Sequence, residues 1–158
     1  MSIRRTLAAL VATAALVLVG AAGPAMAGNV HFIKNATTAT VDGVDLVFQF
    51  KEAGLESGAS VQVEASADLQ ATYQCFNNGG KVPSDPKKTT ISARIADVDD
   101  FTATKNGNII GDMTLSPIDA DEALDCPNGQ RATLTAALWS NASLTDLTND
   151  VSISVPIS

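Results

Sequence analysis

Few residues of this 158-residue chain have the chemistry to build an active site. A hydrolytic triad needs a nucleophile, a base and an acid that orients the base, and His31 is the only histidine. It reads as an ordinary residue of an N-terminal strand. Zinc needs four ligands, and one histidine with two cysteines, Cys75 and Cys126, falls short of that set. Carboxylates cluster twice, at Asp97, Asp99 and Asp100 and at Asp119, Asp121 and Glu122. Neither group has the Gly-containing spacing of a calcium loop. Glycosidase chemistry would need two carboxylates across a substrate cleft, and a chain with 4% aromatic residues has little to line one. Both clusters therefore read as solvated acidic loops, and neither a catalytic residue nor a cofactor is expected.

Two features have the chemistry of contact instead. Trp139 is the single tryptophan, and an exposed indole can hold a sugar ring or an apolar ligand. In the run Ala132 to Trp139, Leu134, Ala136 and Leu138 mark one face. Strict alternation then puts Trp139 on the other face, with Thr133, Thr135 and Ala137, unless a bulge or an overlying loop buries it. The second feature is the segment Phe76 to Lys88, which gathers Lys81, Lys87 and Lys88 within an acidic chain. A Pro- and Gly-rich loop beside a cysteine can offer a preorganised contact to an acidic partner; the same loop also serves to keep a strand edge from pairing wrongly.

The compartment is read from residues 1–27. Arg4 and Arg5 precede an uncharged stretch from Thr6 to Ala22 dominated by Ala, Leu and Val, and Ala25 and Ala27 place small residues at its end. This is the layout of a signal peptide helix stopped by Pro24, with cleavage expected between Ala27 and Gly28. The arginine pair lacks the apolar run of a twin-arginine signal, so Sec export is expected. No cysteine stands at the cleavage site, and Val151 to Ser158 alternates polar with apolar residues, so neither a lipid nor a GPI anchor is expected. The mature chain should be free in the medium. Loss of Arg4 and Arg5 takes the formal charge from −7 to −9, a surface suited to neither nucleic acid nor an anionic membrane. A monomer with an unidentified protein or small-molecule partner is the expectation.

Residues 28–158 amount to one domain with enough chain for a packed core. In an oxidising compartment Cys75 and Cys126 should form a disulfide; its loop of about 51 residues is worth roughly 4 kcal/mol by chain entropy. Periodicity says how the rest is arranged. From Val61 to Cys75 every odd position is apolar, including Val61, Val63, Leu69 and Tyr73, and every even position is polar. That is a strand with one buried face, long enough to require a bend or a break near Ser66 to Asp68. Shorter alternations run through Leu46, Phe48 and Phe50, through Ile91, Ala93 and Ile95, and from Val151 to Ile157. Turn residues separate them at Gly54 to Gly58, Asn77 to Gly80, Asn106-Gly107 and Pro127-Asn128-Gly129. Seven or eight strands at this spacing predict an all-β, antiparallel two-sheet sandwich of immunoglobulin-like architecture, with a small barrel as the alternative. Both cysteines lie beside turns, so their bridge should staple one end of the sandwich.

The pattern Tyr73-x-Cys75-x-Asn77-x-Gly79-Gly80-x-x-Pro83, with Lys105-Asn106-Gly107 and Cys126-Pro127-x-Gly129-Gln130, resembles a group of small secreted actinobacterial immunoglobulin-like proteins. What the resemblance implies is fold and export, without an activity. Neocarzinostatin-type apoproteins are similar in being small, acidic, Ala/Thr/Val-rich sandwiches, but they carry two disulfides. The functional expectation is a secreted, non-enzymatic binding or structural module, with a small-molecule carrier or a proteinase or glycosidase inhibitor as alternatives. A carrier predicts a ligand-sized apolar cavity, and an inhibitor a protruding rigid loop.

Overall fold

A computed structural model describes residues 28–158 of the chain. The expected signal peptide helix and its cleavage site after Ala27 lie outside the described residues. Eight strands form two antiparallel four-stranded sheets packed face to face. In the first, β3 (Asp45–Ala53) is the central strand, flanked on one side by β6 (Asn108–Leu115). Its other side takes β1 (His31–Phe32) and β2 (Thr38–Asp42) in succession. A single 3-10 turn at Lys34–Ala36 separates these two, so they act as the halves of one interrupted edge strand.

The second sheet has the order β5-β4-β7-β8, with β4 at Ser60–Asn77, β5 at Lys88–Thr102, β7 at Gln130–Asp146 and β8 at Val151–Ser154. The odd residues of β4 from Val61 to Cys75 are all buried, as the alternation requires. Strand β4 does not break near Ser66. It pairs with β5 without a register shift, and the irregularities fall on its pairing with β7. There Asn141 and Ala142 stand opposite Ala67 alone, and Thr135 is an extra residue between the partners of Thr72 and Tyr73. These are β-bulges, the means by which a long strand bends without losing its neighbour.

The bulges decide which side chains of β7 enter the core. Ala132 and Leu134 point inward ahead of the first, Ala137 and Trp139 after it, and Ala142 and Leu144 beyond the second. Each extra residue shifts the alternation by one place. The expected grouping of Leu134, Ala136 and Leu138 on one face is therefore corrected: Leu138 is 65% exposed, while Trp139 is 6% exposed and belongs to the core.

Other expectations move less. Asp97, Asp99 and Asp100 are exposed, but they lie within β5 and not in a loop. Register places Asp97 opposite Ala65 and Asp99 opposite Val63, which turns both acids toward the inner side of an edge strand, a device that discourages pairing with another chain. Asp121 and Glu122 sit in the first turn of the short helix α1 (Ala120–Ala123), with Asp119 just before it. Cys75 and Cys126 are bonded, with Cα atoms 5.7 Å apart. The bridge ties the buried end of β4 to the connection between α1 and β7, at one end of the sandwich. Nearby, the Tyr73 hydroxyl donates to the carbonyl of Ile118 at 2.6 Å. Strand β8 stops at Ser154, and the chain then crosses to the first sheet, where Ile157 pairs in parallel with Ala39.

An aromatic stack closes the side where β5 meets β6. Phe50 packs edge-on against Phe32 and Phe101, with ring centroids 5.9 and 5.1 Å away, geometries that suit the ring quadrupoles. Gly111 makes room for it: a Cβ there would lie 2.6 Å from Phe101 and 2.7 Å from Phe50. Gly111→Ala should therefore cost about 1–3 kcal/mol through overpacking. Urea unfolding measures this, and a loss below about 0.5 kcal/mol would show that the rings can yield.

Candidate functional site

The second bulge of β7 puts Asn141 in the left-handed region, at φ 50°. Asparagine tolerates that conformation better than other residues with a Cβ. Around it, the outward faces of three strands carry a connected polar cluster. Arg94 on β5 donates through Nη1 to Asp68 Oδ1 at 2.8 Å and to the Asn141 carbonyl at 3.4 Å. Its Nη2 donates to the Ser66 and Ser143 hydroxyls at 2.9 and 3.0 Å. The two hydroxyls bond each other at 3.1 Å, and the Asn141 amide donates to Asp68 Oδ2 at 2.7 Å. The Asn141 amide first, and Arg94 second, hold the Asp68 carboxyl below the usual carboxylate range.

This cluster borders an open groove of about 690 Å³, lined in part by Arg94, Trp139, Asn141, Ser154, Pro156 and Ile157. The groove lies where the chain after β8 leaves β7, following a last hydrogen bond from the Val155 N–H to the Ala142 carbonyl at 2.9 Å. Beyond that point the two strands diverge. Both terminal nitrogens of Arg94 are committed, and its charge is matched by Asp68. The guanidinium acts as a brace across β5, β4 and β7 and not as a free anion hook.

Trp139 reaches the groove only at its margin. Its ring faces the core, and its indole N–H donates to the Val44 carbonyl at 2.9 Å, which fastens β7 under the turn between β2 and β3. The lysines do not converge. Lys87 Nζ donates to the Asp125 carbonyl at 2.6 Å, bracing the segment that leads to Cys126. Its own carbonyl accepts from the Cys75 N–H at 2.9 Å, and the Lys81 carbonyl accepts from the Asn77 N–H at 2.9 Å. Lys81 and Lys88 are exposed, and Lys88 opens β5 opposite Gln74. His31 is exposed on β1, with Nδ1 2.6 Å from the Asn29 carbonyl. Among the described residues no group of three or more His, Cys, Asp or Glu side chains is placed to hold a metal ion.

Sequence reasoning missed the Arg94 cluster because Asp68, Ser66 and Arg94 look like ordinary outward residues of alternating strands. A signal was present in β7. Trp139 and Leu144 stand on opposite phases of one alternation, so a residue must be inserted between them, and Asn141 is the natural site for it. The fold and this site define a class: a disulfide-braced, antiparallel two-sheet β-sandwich with cross-strand polar bracing on one outer face. No family model, curated protein or solved structure matches this chain.

The bulge makes Asn141 informative to vary. Asn141→Val should cost about 2 kcal/mol, because a β-branched residue resists positive φ. Asn141→Gly should cost less than about 1 kcal/mol, since relief of the backbone offsets the lost Asp68 bond; equal losses in urea unfolding would contradict this. Trp139 fluorescence should be blue-shifted and poorly quenched by acrylamide, as its burial requires.

Proposed function

We propose that the chain is a secreted, non-enzymatic binding module with an immunoglobulin-like sandwich, belonging with the small actinobacterial secreted proteins its cysteine and turn motifs resemble. It leaves the cell by Sec export, is cleaved between Ala27 and Gly28, and acts as a monomer in the medium. The observation that carries this reading is the braced loop from Asn78 to Lys87. The disulfide fixes the strand it leaves, the Lys87 ammonium fixes its return to the Asp125 carbonyl, and Lys81 stays exposed. A loop held this way has little entropy to lose on contact. Its exposed cation suits an acidic surface on a protein partner, and inhibition of a secreted enzyme is one form that contact would take.

Carriage of a small molecule has less support. The groove beside Arg94 is open, and its lining mixes polar with apolar side chains, whereas an enclosing apolar site is what retains such a ligand. Among the described residues no helix is long and apolar enough to cross a membrane.

Native mass spectrometry of the protein purified from culture medium tests the proposal. The expected result is the mass of residues 28–158 less two hydrogens, together with a complex containing a second protein. That complex should be lost in a Lys81→Ala/Lys88→Ala variant, which leaves the Lys87 brace in place. A stoichiometric small-molecule adduct would favour the carrier instead, and a mass that includes residues 1–27 would overturn cleavage.

A further inference from the structure

Glu52 and Asp146 are carboxyl side chains with 0% exposure, and they come from opposite sheets. Glu52 follows Phe50 on the inward side of β3, and Asp146 follows Leu144 on the inward side of β7. Asp146 is well supplied with donors. Its Oδ1 accepts the backbone N–H groups of Thr148 and Asn149 at 2.8 and 3.0 Å, and its Oδ2 accepts the Asn149 amide at 2.6 Å. The turn that follows is stitched to β4, because the Leu147 N–H donates to the Gln62 carbonyl at 2.8 Å and the Gln62 N–H to the Thr148 hydroxyl at 3.0 Å.

Glu52 has no such support: among the described residues neither of its oxygens meets a donor. An ionised carboxylate only accepts, so a bare Glu52 would face the acceptors of Asp146 from a buried position at high cost. A proton on Glu52 changes this, because its O–H then donates to Asp146. Burial first, and then that hydrogen bond and the repulsion by Asp146, push the Glu52 pKa up to about 8 from an ordinary 4.5.

The elements around Glu52 bring no cation to it. Its strand partners are Phe32 on β1 and Ile109 on β6, both apolar. His31 of β1 turns to the Asn29 carbonyl. From β4 the inward residues Val61 and Val63 are apolar, and Glu64, like Lys51 of β3 itself, belongs to the alternate, outward set. Glu56, beyond the end of β3, is exposed. Among the described residues, Asp146 on β7 is the one titratable group that acts on it.

We infer that Glu52 and Asp146 form a proton-dependent lock between the two sheets, closed in acid and neutral medium and opened in alkali, where the Leu147–Asp150 turn loosens from β4. The lock holds the end of the sandwich opposite the disulfide, since Ser60 and Cys75 stand toward opposite ends of β4. Because the only bond open to Glu52 is the one its own proton makes to Asp146, closure depends on the acidity of the surroundings.

The sign follows from linkage. Glu52 loses its proton near pH 4.5 when unfolded and near pH 8 when folded. Its contribution to stability is therefore complete below pH 4.5, declines as the pH rises from there, and is gone once the pH has passed 8.

Thermal unfolding of the intact protein and of Glu52→Gln, compared from about pH 5 to about pH 9, tests the lock. The native chain should lose Tm on the order of 10 °C more than the variant across that range, because a glutamine amide donates to Asp146 at every pH. At the alkaline end the Thr148 and Asn149 amides should exchange faster in the native chain than in the variant. Parallel Tm curves would overturn the proposal. Should Glu52→Gln fail to fold, the Glu52 carboxyl carbon resonance decides: it should titrate near pH 8 in the native chain and at lower pH in Asp146→Asn. A native midpoint in the ordinary glutamate range would overturn the lock.

Discussion

Strand β4 turns every odd residue from Val61 to Cys75 inward, and its two neighbours in the sheet have to keep step with it. A side chain that slips by one place moves from core to solvent, so the rest of the structure depends on how that step is kept. Strand β5 keeps it by simple register along its whole length. Strand β7 keeps it with two inserted residues, and those insertions bend the sheet, bring Trp139 in, push Leu138 out, and place Asn141 where it can join Asp68 and Arg94. The polar cluster, the groove beside it and the fastening of the β2–β3 turn to Trp139 are all consequences of one pairing that could not remain regular.

The same constraint explains what was legible in the sequence. Strict alternation in β4 and β3 marked the buried faces correctly, because both strands are central and their neighbours supply the other side of the core. The turns at Asn106-Gly107 and Pro127-Asn128-Gly129 were visible for a local reason: Gly107 has φ 69° and Gly129 φ 84°, a conformation glycine adopts freely. Strand β7 was misread because periodicity assumes one residue per place, and a bulge is set by the partner strand. The acidic run of β5 was misread as loop for a related reason. Charge density signals exposure, and the edge of a sheet is exposed while still being a strand. The buried acids were hidden at strand ends: Glu52 continues the run of Leu46, Phe48 and Phe50, yet a charged residue in that place looks like the end of the pattern.

The molecule is fastened in chemically different ways at its two ends. At one, Cys75 and Cys126, Tyr73 with Ile118, and Lys87 with Asp125 lie within a few residues of one another in the chain or across the bridge. The disulfide among them needs an oxidising medium, and together with the two hydrogen bonds it braces the loop. At the other, two buried carboxyls stand between the sheets, and no cation among the described residues matches them. Such an arrangement places the adjustable part of the structure far from the proposed contact loop, so that loop geometry and closure of the opposite end can vary independently.

The crossing of the final segment also sets an order of events. Ala39 near the start of the described chain finds its outer partners in Ile157 and Ser158; the Ser158 N–H reaches the Ala39 carbonyl at 3.0 Å, across a sequence separation of 119 residues. Contacts of such range form late, since loop closure must precede them. A chain emerging from its first residue onward therefore holds β2 with one bare edge until almost everything else has arrived. For that interval the outer edge of β2 is a template for strangers, its backbone groups open to another chain until the final segment covers them.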